Sequence, residues 1–156
     1  MNEQCDPAIM CGIARPIERA ASRRIDHTQS RPNRIVILDD CEGPRNSYVV
    51  ILKEFFSGTE LVALEDSNSA WQELVRKAPD LFITDITHVG MSCREMLSRL
   101  SKRHVKFPIL VISAVLELFS EDERRGWGPG LNVRFLAKPF WVRDFQSAVT
   151  DALQTK

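Results

Sequence analysis

Long apolar runs are missing from this chain: none approaches the roughly 20 consecutive residues that a membrane-spanning helix needs. The N-terminus also lacks the apolar stretch of a secretory signal. An excess of one charge is missing too, since Lys+Arg and Asp+Glu both number 21, and no overall field recruits nucleic acid or an anionic membrane. The four cysteines, Cys5, Cys11, Cys41 and Cys93, show no C-x-x-C spacing. A zinc site from Cys5, Cys11 and His27 has no ligand spacing behind it, so reduced thiols are the expected state. The three histidines, His27, His88 and His104, lie apart and suggest no catalytic pair. These absences leave a cytoplasmic protein as the expectation, with no membrane among its partners.

What is present reads as one ordinary domain. The chain has 156 residues, 44% of them hydrophobic and 27% charged, with no internal repeat. A domain of that length buries roughly two thirds of its unfolded surface and needs no covalent staples. Residues 1–32 differ from the rest: they carry Arg15, Arg19, Arg23, Arg24 and Arg31, few aromatics and a polar end. They read as an N-terminal arm, disordered or loosely packed, with a docking or membrane-surface role as the alternative. Residues 33–156 read as the folded domain.

From Asn33 the pattern is regular. Apolar strands are expected at 34–39, 60–64, 81–85, 108–113 and 132–137. Helices are expected at about 45–57, with Gly58 as its stop, at 67–78 with Ser67 as cap, at 92–103 and at 140–153. Their inward faces are Tyr48, Leu52, Phe55 and Phe56; Trp71, Leu74 and Val75; Met96, Leu97 and Leu100; and Trp141, Phe145, Ala148, Val149 and Leu153. Segment 115–125 alternates apolar and acidic residues and predicts a weaker helix, followed by the loop Gly126-Trp-Gly-Pro-Gly130. Strict βα alternation predicts an α/β fold, a parallel sheet with helices on both faces.

The polar residues that stand out each follow a strand: Asp39 and Asp40, Asp85, Ser113, and Lys138. In an open parallel sheet, ligands bind outside the carboxyl ends of the strands. Taken singly, these residues are a solvated turn, two helix caps and a surface charge. Taken together they place three carboxylates, a hydroxyl and an ammonium at one edge. Crowded carboxylates repel unless a cation intervenes, and Mg2+, which binds through one or two carboxylates, removes the conflict. A carboxylate in that position can act as a nucleophile toward phosphorus, and Asp85, on the central strand, is the candidate. Lys138 would face the phosphoryl oxygens, and Ser113 would donate to one of them.

These residues resemble those of the receiver domain of two-component response regulators, over about residues 33–154. The acidic pair looks like Asp39-Asp40, the phospho-accepting aspartate resembles Asp85, the Ser/Thr-Ala step resembles Ser113-Ala114, and Lys138-Pro139-Phe140 matches a Lys-Pro-Phe signature. The resemblance implies a flavodoxin-like five-stranded parallel sheet of order 2-1-3-4-5, with Mg2+ as cofactor. It also implies a metal site from Asp39, Asp40, Asp85 and the Thr87 backbone carbonyl, phosphoryl binding by Ser113, Ala114 and Lys138, and a switch through Ser113 and Phe135. The implied partners are a sensor histidine kinase or phosphotransfer protein, an output protein reached by contact, and a second copy of the chain. The chain ends soon after its last helix, so no DNA-binding domain is expected. Leu118, Phe119, Trp127, Phe135 and Trp141 are either that contact surface or core.

Departures from the family pattern lie in the loop after Asp85, where Val89 replaces a usual proline and Cys93 a usual glycine. Gly90 is the residue that can supply the lost backbone freedom. A longer, stiffer Gly126–Asn132 turn precedes the last strand. Thr87 and Val115 supply no acid or amide to position an attacking water, which implies a long-lived phospho-state. The chain is expected not to be an enzyme. A Mg2+-dependent phosphatase would need a general acid near Asp85, and Ile86-Thr87 provides none. The main alternative is a pseudo-receiver, an interaction module independent of phosphorylation.

Overall fold

The computed structural model describes residues 31–154. Most of the arm expected over 1–32 lies outside these residues, while its last two residues pack: Pro32 is buried and the Arg31 guanidinium donates to the Ser57 carbonyl.

Five strands alternate with helices: β1 (Arg34–Leu38), α1 (Glu42–Phe55), β2 (Glu60–Leu64), α2 (Ser67–Arg76), β3 (Leu81–Asp85), α3 (Cys93–Lys102), β4 (Ile109–Ser113), a 3-10 turn (Leu116–Leu118), α4 (Glu121–Arg125), β5 (Val133–Ala137) and α5 (Val142–Gln154). All strand pairs are parallel and the order is 2-1-3-4-5, as expected. β1, β3 and β4 are buried along their whole length, which explains their uninterrupted apolar sequence. Val36, Leu38, Phe82, Ile109 and Val111 pack on one side against Leu74 of α2 and Met96, Leu97 and Leu100 of α3. Ile35, Ile37, Ile83, Leu110 and Ile112 pack on the other against Tyr48 and Leu52 of α1 and Phe145 and Val149 of α5. The stacked rings of Tyr48 and Phe145, 5.3 Å apart, join α1 to α5 beneath the sheet edge.

Several local expectations need correction. Helix α1 begins at Glu42 rather than 45, because Pro44 fits the first turn, where its missing N–H costs nothing. The cap of α2 is Asp66, not Ser67: its carboxylate accepts from the amides of Asn68 and Ser69. Val75 and Trp141 are exposed rather than inward, 45% and 52% respectively, the latter because it precedes α5. The weak helix at 115–125 is a 3-10 turn and a five-residue α4, separated at Phe119-Ser120, where Ser120 and Glu123 form a reciprocal capping box. Trp127 is core, with Phe119 and Phe135 against it edge-on at 4.8 and 5.9 Å.

Arg34 is the largest departure from a purely apolar strand. It is 2% exposed and its guanidinium meets Glu73 of α2 at 2.5 Å. Nothing in the strand's own sequence points to this pair, since the two residues are 39 positions apart.

Candidate functional site

β1 and β3 are hydrogen-bonded neighbours whose connections run to opposite sheet edges, β1 toward β2 and β3 toward β4. At this reversal the crevice opens outside their carboxyl ends. Asp39 follows β1 and Asp85 ends β3, both buried, at 1% and 7% exposure. β5 delivers Lys138, whose backbone N–H donates to the Ser113 carbonyl at 2.9 Å and so ties the ends of β4 and β5 together. The lysine reaches across Ser113 to both acids: its Nζ lies 2.5 Å from Asp85 Oδ2 and 3.6 Å from Asp39 Oδ2.

Asp85 is held on its other oxygen as well. The backbone N–H and the hydroxyl of Thr87 donate to Oδ1 at 2.9 and 3.1 Å. Asp85 caps no helix, because α3 starts at the Ser92 cap seven residues later. Ser113 is buried, and its Oγ accepts from the Val115 amide at 3.1 Å, an ordinary turn-forming contact. Ala114 is exposed beside it. Phe135 is half-buried on the α4 side, between Trp127 and the Arg124 guanidinium, 5.7 Å above its ring.

Electrostatics explain the arrangement. Burial pushes the Asp39 carboxyl up to about 6; Asp85 and Asp40 add to the rise, while Lys138 and the Cys41 amide oppose it. Burial works against the Lys138 ammonium, but the groups beside it, Tyr48, Asp85 and Asp39, outweigh burial and hold the amine above its ordinary range. Tyr48 lies against this lysine, and burial raises its phenol, so it stays a neutral hydroxyl.

The sequence reading places Asp39, Asp40 and Asp85 in one cluster, and in the structure Asp39 is the member common to both of the others. Asp39 and Asp85 share Lys138, whereas Asp40 is exposed and groups with Asp39 and Cys41, one ligand atom of each within 4.8 Å of the others. The donor set fits a hard divalent cation on one observation: Asp39 Oδ2 is buried and accepts no hydrogen bond. Such an oxygen has lost its hydration without recovering a hydrogen bond, and the Lys138 ammonium at 3.6 Å compensates it from beyond hydrogen-bond distance, so a divalent cation in contact would complete the balance.

Ser67 is a contributor that sequence reasoning missed. It lies in α2, far from the site in sequence, yet its Oγ donates to the Val89 carbonyl at 3.0 Å and accepts from the Met91 amide at 2.5 Å. The loop after Asp85 is thereby clamped around Gly90, which has φ +99 and whose added Cβ would come 2.5 Å from Ser67 Oγ. Gly90→Ala is expected to cost about 1–3 kcal/mol from the backbone conformation alone, with the Ser67 clash in addition. Urea unfolding of that variant checks it, and a loss below about 0.5 kcal/mol, the range of an inert surface change, would contradict it.

No family model and no curated protein matches the sequence. Solved structures do match. NtrX from Brucella abortus is 26% identical with a TM-score of 0.66, over 81% of this chain and 27% of that one. A signal receiver domain from Vibrio parahaemolyticus is 21% identical with a TM-score of 0.65, over 80% of this chain and 92% of that one. The chemotaxis response regulator CheY4 of Vibrio cholerae is 19% identical with a TM-score of 0.64, over 76% of this chain and 97% of that one. Strand order, the crevice at the β1/β3 reversal and these likenesses agree: the chain has the receiver fold of response regulators.

Proposed function

We propose that this protein is a phosphorylation-dependent signalling switch that accepts a phosphoryl group on Asp85. The observation that carries the reading is the convergence of Asp85, Asp39, Lys138, Thr87 and Ser113 from four strand ends at one crevice. The donor would be a phosphohistidine of a sensor kinase or phosphotransfer protein. An Asp85 carboxylate oxygen attacks phosphorus, the P–N bond breaks, and the departing imidazole keeps the electron pair and takes up a proton. Asp39, Asp40, Asp85 and the Thr87 carbonyl would hold Mg2+, which when bound neutralises charge on the phosphoryl oxygens.

This chain's own groups do the rest. Thr87 fixes Asp85 Oδ1, which leaves Oδ2 as the attacking oxygen once Lys138 moves from it to the phosphoryl group. Ser113 gives up its contact with the Val115 amide to donate to the phosphoryl group, drawing the β4 end and the following turn with it. Phe135 and Trp127 lie behind that turn, so the change would reach the α4–β5 face by repacking. Output then passes by protein contact, to a target or a second copy of the chain. The protein is a stoichiometric acceptor rather than a catalyst.

The test is intact mass after incubation with acetyl phosphate and Mg2+, beside Asp85→Asn. A magnesium-dependent phosphate adduct, absent from the variant, is the expected result. A phosphorylation-independent module is the second reading, favoured by the clamping of the Val89–Met91 loop through Ser67. No adduct with either acetyl phosphate or a phosphohistidine donor would select it.

A further inference from the structure

The folded domain begins at the mouth of an apolar groove. Helices α1 and α5 pack side by side on one face of the sheet, and a cleft opens between them. Ile51, Phe55 and the cap residue Phe56 line its α1 wall, and Phe145, Val149 and Thr150 line its α5 wall. Phe55, Phe56 and Thr150 are half-buried, so part of each stays open to solvent. The chain enters at the same end. The Arg31 guanidinium donates to the carbonyl of Ser57, one residue past Phe56. It lies over Gly58, where an added Cβ would come 3.1 Å from two of its nitrogens. Pro32 is buried, and its carbonyl accepts from the Thr59 hydroxyl at 2.7 Å. Everything upstream of Arg31 is therefore tethered beside the two phenylalanines.

The sequence of residues 16–25 carries the pattern of a short amphipathic helix. Pro16 suits a first helical position, Glu18 a first turn, and Arg23 and Arg24 a last turn. Ile17, Ala21 and Ile25 recur every fourth residue and share one face, while Arg19, Ser22 and Arg23 share the other. A helix of that length spans about 15 Å and is marginal alone in water, so its apolar face needs a partner. Residues 26–30 join it to Arg31 and reach at most about 17 Å. We propose that residues 16–25 dock as a helix in the α1–α5 groove of the same chain, with Ile17, Ala21 and Ile25 against Phe55 and Phe56. The small Ala21 lets the helix approach the rings closely. A linker this short sets an effective concentration of order 1 mM, so a modest intrinsic affinity holds the arm in place. The docked arm closes the α1–α5 face, and a target that uses this face must first displace it. The inference is independent of phosphoryl acceptance at Asp85.

Amide hydrogen exchange of the full chain tests this, beside an Ile17→Ser/Ile25→Ser double variant and Thr150→Lys. The double variant alters no described residue, so it keeps the test valid whatever Thr150→Lys does to the fold. Thr150→Lys puts a long cationic side chain into the groove from α5, where lysine is a better helix former than threonine. Protein concentration is varied about 100-fold, since only contact between copies responds to mass action. The amides of residues 18–25 should exchange at least about tenfold more slowly in the wild type than in either variant, at every concentration. Fast exchange of these amides in the wild type overturns the inference, and so does slow exchange that persists in either variant. Protection that rises with protein concentration overturns it as well, and gives the groove to a second copy of the chain.

Discussion

Lys138→Met is expected to destabilise the domain by about 3–5 kcal/mol in the absence of divalent cations, and addition of Mg2+ is expected to recover a large part of that loss. The ammonium is the only positive group that the structure places between Asp85, at 2.5 Å, and Asp39, at 3.6 Å, among the described residues. All three side chains are at most 13% exposed, so screening by solvent is slight. Removing one partner of such a set leaves uncompensated buried charge, which is where the 3–5 kcal/mol arises. A methionine of similar length keeps the packing against Tyr48 and isolates the charge effect. Asp39 already resists ionisation, and without the lysine both acids would share the crevice unopposed. A cation that binds only the folded state would then stabilise the variant by mass action and restore the missing charge.

Urea unfolding at fixed pH with and without Mg2+ measures both halves of this expectation. Equal losses in the two conditions would mean that packing, not charge, is what Lys138 supplies. A loss under about 1 kcal/mol, the level of an exposed ion pair, would mean that the crevice is wetter than its burial implies. Phosphoryl acceptance by the variant should also fall, because no ammonium remains to meet the transferred oxygens.

How much of this was legible in the sequence depends on the range of each signal. The sheet was legible because β1, β3 and β4 are buried on both faces, and burial of that kind writes continuous apolar runs into the chain. The positions of Asp39, Asp85, Ser113 and Lys138 were legible because strand ends were. What each side chain touches was not. Lys138 and Asp85 are 53 positions apart, and only the folded crossover decides that the amine lies on one acid and near the other while Asp40 turns outward. The Asp66 cap and the Ser67 clamp were missed for a related reason. Two adjacent polar residues at a helix start are interchangeable by local rules, and the loop after Asp85 decides which one caps. Arg34 was masked by its four apolar neighbours, and its partner Glu73 reads as an ordinary exposed helix acid. The aromatic group at α4 and β5 divided as only packing could divide it: Trp127 joined the core, and Trp141 stayed in solvent.

Asp39 should leave a signature in the pH dependence of stability that no exposed acid can produce. Its carboxyl is pushed up to about 6 from an ordinary 3.8, chiefly by burial. Between those values the folded state binds more protons at this site than the unfolded chain does, so stability falls as pH rises. The stabilising share is fully present below about pH 4 and is lost once pH passes about 6. A rise of that size, at 1.36 kcal/mol per pH unit, corresponds to about 3 kcal/mol. Asp39→Asn removes the titration while keeping an acceptor for the Cys41 amide. The free-energy difference between wild type and variant, measured by urea unfolding from pH 4 to pH 7, should therefore shift by about 3 kcal/mol against the wild type. Saturating Mg2+ should oppose that shift, because a cation stabilises the ionised carboxylate that burial penalises, and the variant should lose most of the Mg2+ response. A flat difference across this range would mean that Lys138 compensates Asp39 fully, and that a carboxylate at this position is carried without strain.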